Sequence, residues 1–193
     1  MQILLIRHGE AQSGERHRYL GSTDVPLTPE GRARLHCPGF RPEAVFCSPM
    51  LRAVQTAELL FPASERCLIP DLREMDFGVF EGRGWWEMED DPDYRAWTEG
   101  NCTTPCPGGE SRAEFSARVC RTFDSLLTRA FAEKRERIAV VAHGGTQMAI
   151  LERWGEPQRE FYAWQTRCGE GWELQAQAWP GRLSVLEKRS FTR

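Results

Sequence analysis

Two histidines stand at the ends of apolar runs. The chain opens Gln2-Ile3-Leu4-Leu5-Ile6-Arg7-His8-Gly9, and a second run, Ile138 to Ala142, ends in His143-Gly144-Gly145. The sequence holds four histidines, so two of them lie where strands are expected to stop. Ligands of open α/β sheets bind beyond the carboxyl ends of parallel strands, where two imidazoles can meet over one substrate. Arg7 accompanies the first histidine. Arg52 sits in the first turn of an expected helix after Cys47-Ser48-Pro49, from which its guanidinium reaches the same edge. Guanidinium forks suit phosphate oxygens, and a helix N-terminus after Ser48 adds N–H groups and partial positive charge. A neutral imidazole nitrogen can attack phosphorus while the cations balance the equatorial oxygens, a chemistry that needs neither metal nor cofactor.

The leaving oxygen of such a transfer requires a proton. A carboxylic acid can supply it if burial or a negative neighbour raises its pKa, and Glu74, in Leu72-Arg73-Glu74-Met75-Asp76-Phe77-Gly78, is the candidate, because it follows the third expected strand where the sheet edge places it near His8. Asp76, Glu81 and Glu10 compete for the role. Each arginine alone reads as a surface salt bridge; the convergence of three separate segments singles them out.

The elements that must position these groups follow from pattern and punctuation. Strands are predicted at Ile3 to Ile6, Ala44 to Cys47, Cys67 to Ile69, Ile138 to Ala142, Trp172 to Trp179 and Leu183 to Lys188. Thr28-Pro29 and Ser48-Pro49 each pair a cap residue with a proline at the expected helix start, the second before Met50 to Phe61. Ser111 and Glu114 form a capping box ahead of a helix to about Lys134, and Thr146 to Trp154 stops at Gly155, with Pro157 opening a further short helical segment. Trp179-Pro180-Gly181-Arg182 predicts a turn between antiparallel strands. The fold class expected is α/β, three layers with a mostly parallel central sheet, as a single domain over residues 1–193. Residues 75–110 break the alternation. With Trp85, Trp86, Tyr94, Trp97 and an acidic stretch from Glu87 to Asp93, they read as an inserted lid or as an excursion whose tryptophans pack onto the core. As a lid, the acidic stretch would repel extra negative charge at the mouth and the tryptophans would favour a flat aromatic substrate.

Composition excludes several classes. A net charge of −3, with 25 basic residues spread among 28 acidic ones, gives no case for nucleic acid. The apolar start is too short for a signal peptide or a membrane span, so a cytoplasmic protein is expected. Seven cysteines at irregular spacing read as thiols, and Cys102 with Cys106, lacking a nearby histidine or second pair, read as loop cysteines and not a zinc site. His17 and His36 receive no role, and the oligomeric state is left open.

Five segments, in order, resemble the histidine phosphatase superfamily of phosphoglycerate-mutase-like enzymes. They are Arg7-His8-Gly9-Glu10; Gly21 through Asp24-Val25-Pro26-Leu27-Thr28 with Gly31; Cys47-Ser48-Pro49 with Arg52, Gln55 and Thr56; Leu72-Arg73-Glu74 with Gly78 and Glu81-Gly82; and Val141-Ala142-His143-Gly144-Gly145. The resemblance implies that His8 becomes phosphohistidine, that Arg7, Arg52 and His143 hold the phosphate with Gly21 and Gly144 nearby, and that Glu74 is the proton donor. It implies a small-molecule phosphomonoester as partner. Met75-Asp76-Phe77-Gly78 and Pro107-Gly108-Gly109-Glu110-Ser111 are most similar to the alpha-ribazole phosphatase group, which implies alpha-ribazole 5′-phosphate and cobalamin biosynthesis. Ala11 and Gly14 depart from the family pattern, where many relatives carry Ser or Thr and Asn. Two alternatives accompany the hydrolase reading: a phosphoglycerate mutase that returns the phosphoryl group to a bound acceptor, and a feebly active phospho-ligand sensor.

Overall fold

A computed structural model describes residues 1–12, 18–36 and 39–193, so Gly14 and His17 lie outside the described residues. Seven strands form one sheet: β1 (Gln2–Arg7), β2 (Ala44–Cys47), β3 (Arg66–Leu68), β4 (Arg137–Ala142), β5 (Gly155–Glu156), β6 (Glu170–Gln175) and β7 (Leu183–Ser190), in the spatial order β3-β2-β4-β1-β6-β7-β5. The first four neighbours run parallel, β6 is antiparallel to both β1 and β7, and β5 runs parallel to β7. Among the described residues five α-helices accompany it: α1 (Pro29–Arg34), α2 (Leu51–Leu60), α3 (Pro92–Glu99), α4 (Arg112–Ala132) and α5 (Gly144–Trp154). The class is α/β, as the alternation of elements implies.

The central strands are apolar throughout because both faces are covered. Alternate residues serve opposite cores. Ile3, Leu5, Phe46, Ile138 and Val140 face Phe115, Phe123 and Leu127 of α4 and Ile150 of α5, whereas Leu4, Ile6, Val45, Ala139 and Val141 face Ala53, Ala57 and Leu60 of α2. Thr28 caps α1 by accepting from the Gly31 N–H at 2.8 Å, and the Ser111–Glu114 box closes in both directions at the start of α4.

Ser48-Pro49 is not the cap of α2. That helix starts at Leu51, its N-cap Met50 offers no side-chain bond, and the Leu51 N–H donates to Asp24 Oδ1 at 2.7 Å. Ser48 is occupied elsewhere, and the free helix N-terminus expected there is partly taken by Asp24. The strand expected from Trp172 to Trp179 spans Glu170–Gln175, because Trp179 folds back onto Trp154 and Phe123. The helical turn expected at Pro157 is a 3₁₀ turn at Phe161–Trp164. β5, with two residues, is too short to leave a periodic signal.

Residues 75–110 divide between the two expected readings. Met75, Phe80, Met88, Trp97 and Cys106 are buried in the larger core, so this segment has an anchored interior. Its base is stitched by Val79 N–H to the Pro107 carbonyl at 3.0 Å and Glu110 N–H to the Asp76 carbonyl at 2.9 Å. Gly78 is left-handed (φ +49°), and a Cβ there would lie 2.2 Å from the Pro107 oxygen. Trp85 stays half exposed, and Trp86 lies under the Arg18 guanidinium.

Candidate active site

Strand register brings the two histidines together. Arg7 of β1 is paired with Ala142 of β4, and Cys47 of β2 with Val141. One step further on, His8 N–H donates to the Ala142 carbonyl at 2.9 Å and Ser48 N–H to the Val141 carbonyl at 3.0 Å. His8, His143 and Ser48 therefore leave three adjacent strands at one level. The imidazole centroids lie 5.2 Å apart with the rings tilted by 64°.

Each imidazole is orientated by one hydrogen bond. His8 Nδ1 lies 2.7 Å from the Gly9 carbonyl oxygen, which can only accept. Nδ1 therefore carries the proton, and the lone pair of the neutral ring is on Nε2. Burial, reinforced by the charges of Arg52 and Arg7, lowers the His8 pKa well below the ordinary value and keeps the ring neutral. His143 Nε2 is 2.8 Å from Ser48 Oγ, and its Nδ1 is buried with no partner among the described residues. With the Ser48 hydroxyl donating, His143 presents an Nδ1–H; burial and the charge of Arg52 lower its pKa too.

The arginines are held by main-chain oxygens. Arg7 Nη1 donates to the Thr166 carbonyl at 2.5 Å. Thr166 Oγ1 in turn donates to Gln147 Oε1 at 2.7 Å, and Gln147 Nε2 to the Leu5 carbonyl at 2.9 Å, all of it buried. Arg52 is fully buried; Nη1 donates to the Thr23 carbonyl at 2.8 Å and Nη2 to the Gly21 carbonyl at 2.9 Å. Arg7 Nε and Arg52 Nε remain buried donors without a partner among the described residues. Unpaired buried N–H groups are costly, so these two together with His143 Nδ1 mark a place for an anion. Thr56 Oγ1 ties the cluster together, accepting from the Gly9 N–H at 2.9 Å and donating to the Arg52 carbonyl at 2.7 Å.

Glu74 lines a cavity with Arg7 and His8, whereas Arg52 and His143 are not among its lining residues and reach it electrostatically, through their neighbours. Glu74 Oε2 accepts from the Gly145 N–H at 3.0 Å and its Oε1 from the Met75 N–H at 3.0 Å. Burial outweighs these bonds and the nearby arginines, raising the pKa so that the carboxyl can hold a proton. Arg118 fixes the loop by donating to the Asp71 carbonyl at 2.9 Å and to Glu110 Oε2 at 2.7 Å. The paired glycines have separate reasons. A Cβ at Gly144 would sit 3.3 Å from the Arg7 guanidinium, and one at Gly145 would sit 2.3 Å from Glu74 Oε1.

Other expected residues lie elsewhere. Gly21 makes no wall of the cavity: its N–H donates to Glu81 at 2.9 Å, its carbonyl holds Arg52, and a Cβ would meet the Met75 oxygen at 1.7 Å. It acts through Arg52. Glu81 is consumed as the anchor of that loop, also accepting from Ser22 N–H at 2.8 Å and Phe77 N–H at 3.1 Å. Asp76 accepts from Gly78 N–H at 2.9 Å, and Glu10 pairs with Arg34 at the rim. The acidic stretch is partly neutralised within its own neighbourhood, with Glu87 on Arg18 at 2.6 Å, Asp90 on Arg95 at 2.7 Å and Asp91 on Arg83 at 3.1 Å, and neither these three nor Glu89 and Asp93 line the cavity. Repulsion at the mouth is thereby corrected: Arg18, Arg34, Arg112 and Arg167 line the cavity. Gln147 and Thr166 were missed, since nothing local distinguishes a polar residue that bonds a neighbour 19 positions away.

The cavity holds about 970 Å³. Arg7, His8, Glu74 and Gly144 form part of its lining, and Tyr19, Phe77, Trp85, Phe115 and Tyr162 give it aromatic surface. Among the described residues all cysteines are free thiols, and no helix is long and apolar enough to cross a membrane.

A three-layer α/β sandwich whose parallel strands deliver two imidazoles and two carbonyl-held guanidiniums to one anion site defines a phosphoryl-transfer protein. The chain belongs to the histidine phosphatase superfamily (branch 1), whose family model matches residues 3–170. It is 33% identical over 185 residues to the adenosylcobalamin/alpha-ribazole phosphatase of Escherichia coli, covering 89% of this chain and 87% of that protein. It is 32% identical over 163 residues to an acid phosphatase of Mycobacterium tuberculosis, covering 79% and 75% of the two chains. The crystal structure of the alpha-ribazole phosphatase from Shigella flexneri superposes with a TM-score of 0.82 at 26% identity, over all of this chain and 96% of the other. Phosphoglycerate mutases are also among the relatives.

Two predictions arise from this geometry. Arg52→Lys cannot satisfy both loop carbonyls and an anion, so inorganic phosphate should bind at least about tenfold more weakly by isothermal titration calorimetry; unchanged affinity would place Arg52 outside the anion site. The second concerns pH. Because the folded-state pKa values of His8 and His143 lie below 6.5, the unfolded chain takes up protons first as the pH falls through 6.5. Stability is therefore undiminished above that value and declines below it until the folded-state values are reached. The urea midpoint should fall from pH 6.5 to about pH 5.5, less steeply in His143→Gln than in the parent; parallel slopes would refute the neutral, buried His143.

Proposed function

We propose that the protein is a metal-independent phosphomonoesterase that passes the phosphoryl group through His8. The observation that carries this reading is the Nδ1–H of His8 on the Gly9 carbonyl, which leaves the Nε2 lone pair as the ring's only nucleophilic position. In the first step Nε2 attacks phosphorus, the P–O bond to the leaving group breaks, and Glu74 gives its proton to the departing oxygen. Arg7 Nε, Arg52 Nε and His143 Nδ1 meet the non-bridging oxygens, the one demand that their burial without partners leaves open. In the second step water attacks phosphorus, Glu74 takes its proton back, and the P–N bond breaks to release phosphate and neutral His8. The electron pair returns to Nε2, and the proton that left with the alcohol is replaced on Glu74 by one from the attacking water.

The substrate in this reading is a monophosphate on an aromatic or nucleoside-like body, a class that includes alpha-ribazole 5′-phosphate. Its support is the aromatic surface given by Phe77, Trp85 and Tyr162 and the similarity to the two ribazole phosphatases. The acidic stretch no longer contributes to it. Transfer to a bound acceptor, as in the related mutases, would use the same residues and release an isomerised ester instead of inorganic phosphate.

Quenching turnover of a ³²P-labelled ester should trap acid-labile, base-stable label on His8, with inorganic phosphate as product, and His8→Ala should abolish both. Label on serine, cysteine or aspartate, or hydrolysis by His8→Ala, would overturn the mechanism. Glu74→Gln should slow alkyl phosphates at least about tenfold more than p-nitrophenyl phosphate, whose leaving oxygen hardly needs a proton. Equal slowing of both would assign Glu74 a positioning role.

A further inference from the structure

Outside the Arg7–Arg52 cluster, one arginine of the cavity lacks an acidic partner among the described residues. Arg18 pairs with Glu87 and Arg34 with Glu10, while Arg167 lies beside Glu170. Arg112 makes no ion pair with any described residue, although it lines the cavity and is half-buried. Its guanidinium carbon stands 5.4 Å from the Phe161 ring centroid, and the Tyr162 hydroxyl, hydrogen-bonded with Cys102, also lies against it.

Its position in the fold makes this costly. Arg112 is the first residue of α4, directly after the Ser111 cap, where free N–H groups and the helix dipole favour Asp or Glu and disfavour a cation. Packing on Phe161 is no sufficient reason for the choice, since Leu or Met would cover the ring without the charge. An uncompensated cation kept at an unfavourable helix position and aimed along the wall of a ligand cavity is the mark of a group held for binding. The aromatic residues around it would seat a flat leaving group, and Gln165 adds a further polar side chain to the lining.

We propose that Arg112, with the Tyr162 hydroxyl and the Phe161 ring, forms a second anion subsite that selects leaving groups carrying an acidic substituent on an aromatic body. This rests on the phosphatase reading and narrows its substrate class. None of Glu87, Glu89, Asp90, Asp91 and Asp93 lines the cavity, and three of them are ion-paired, so the acidic stretch does little to oppose a second negative charge there. A carboxylate or sulfonate gains paired, charge-assisted hydrogen bonds from a guanidinium, with the ring stacked alongside.

The test compares kcat/KM for phenyl phosphate with its 3- and 4-carboxyl and 4-sulfonate derivatives, in the parent, Arg112→Gln and Arg112→Lys. At least one derivative should exceed phenyl phosphate by about tenfold in the parent, the advantage should vanish in Arg112→Gln, and Arg112→Lys should keep part of it. Calorimetric binding of benzylphosphonate and 4-carboxybenzylphosphonate reads the same preference without turnover, and circular dichroism confirms that the compared variants are folded. A parent with no preference in either assay, or a preference that survives in Arg112→Gln, overturns the subsite. Preference in phosphonate binding without hydrolysis of any ester would instead overturn the phosphatase reading and leave the subsite standing.

Discussion

Burying two guanidinium groups with no hydrogen-bonded carboxylate is the constraint on which the rest of this structure depends. A cation taken out of water needs compensation, and pairing Arg7 or Arg52 with an acid would fill the anion site from within. The fold compensates with dipoles. Carbonyls of Gly21, Thr23 and Thr166 receive the terminal nitrogens, while the Nε donors stay open. That solution sets requirements further out. The loop bearing Gly21 and Thr23 must be rigid, which explains why Glu81 spends its carboxylate on the N–H groups of Gly21 and Ser22. Thr166 must stay in place, and Gln147 ties it to β1.

Neutral imidazoles belong to the same electrostatic arrangement. Burial disfavours a charged imidazole here, the two fixed cations add repulsion, and the lowered pKa values of His8 and His143 are the consequence. Neutrality is also what the chemistry needs, because only an unprotonated Nε2 attacks phosphorus. The sheet register supplies the geometry: β1 and β4 end level, so the residues after Arg7 and Ala142 meet. The sharp turn into α5 then places Gly144 against Arg7 and Gly145 against Glu74, where any side chain would displace one or the other.

This hierarchy explains what the sequence disclosed. The positions of His8 and His143 are legible because each directly follows an apolar run that announces its own end, and those of Arg7, Arg52 and Glu74 because each lies at or shortly after an expected strand. Partners brought together only by folding are not. Ser48-Pro49 has the same local pattern whether the hydroxyl caps a helix or bonds an imidazole 95 residues away, and it does the latter. The run from Glu87 to Asp93 looked like bare charge because Arg18, Arg83 and Arg95 become its partners only in the folded segment. Gly21 was placed in the right loop with the wrong contact. Two-residue β5 and the Gln147–Thr166 link carried no periodic or motif signal at all.

Glu74 completes the electrostatic cycle. At rest its raised pKa is a compromise, with burial favouring the protonated acid while Gly145, Met75 and the two arginines favour the carboxylate. A phosphate ester bound among those arginines spends their charge on its own oxygens and sets negative charge beside the carboxyl. Both effects hold the Glu74 proton more firmly, so in the proposed reaction substrate binding itself would prepare the acid for the step that consumes it. Once the leaving group has taken that proton, the new carboxylate lies beside Arg7 and Arg52 with less competing charge, a state in which it can accept a proton from water. One carboxyl thus changes role because the anion next to it changes, and the uncompensated arginines are what make it sensitive to that change.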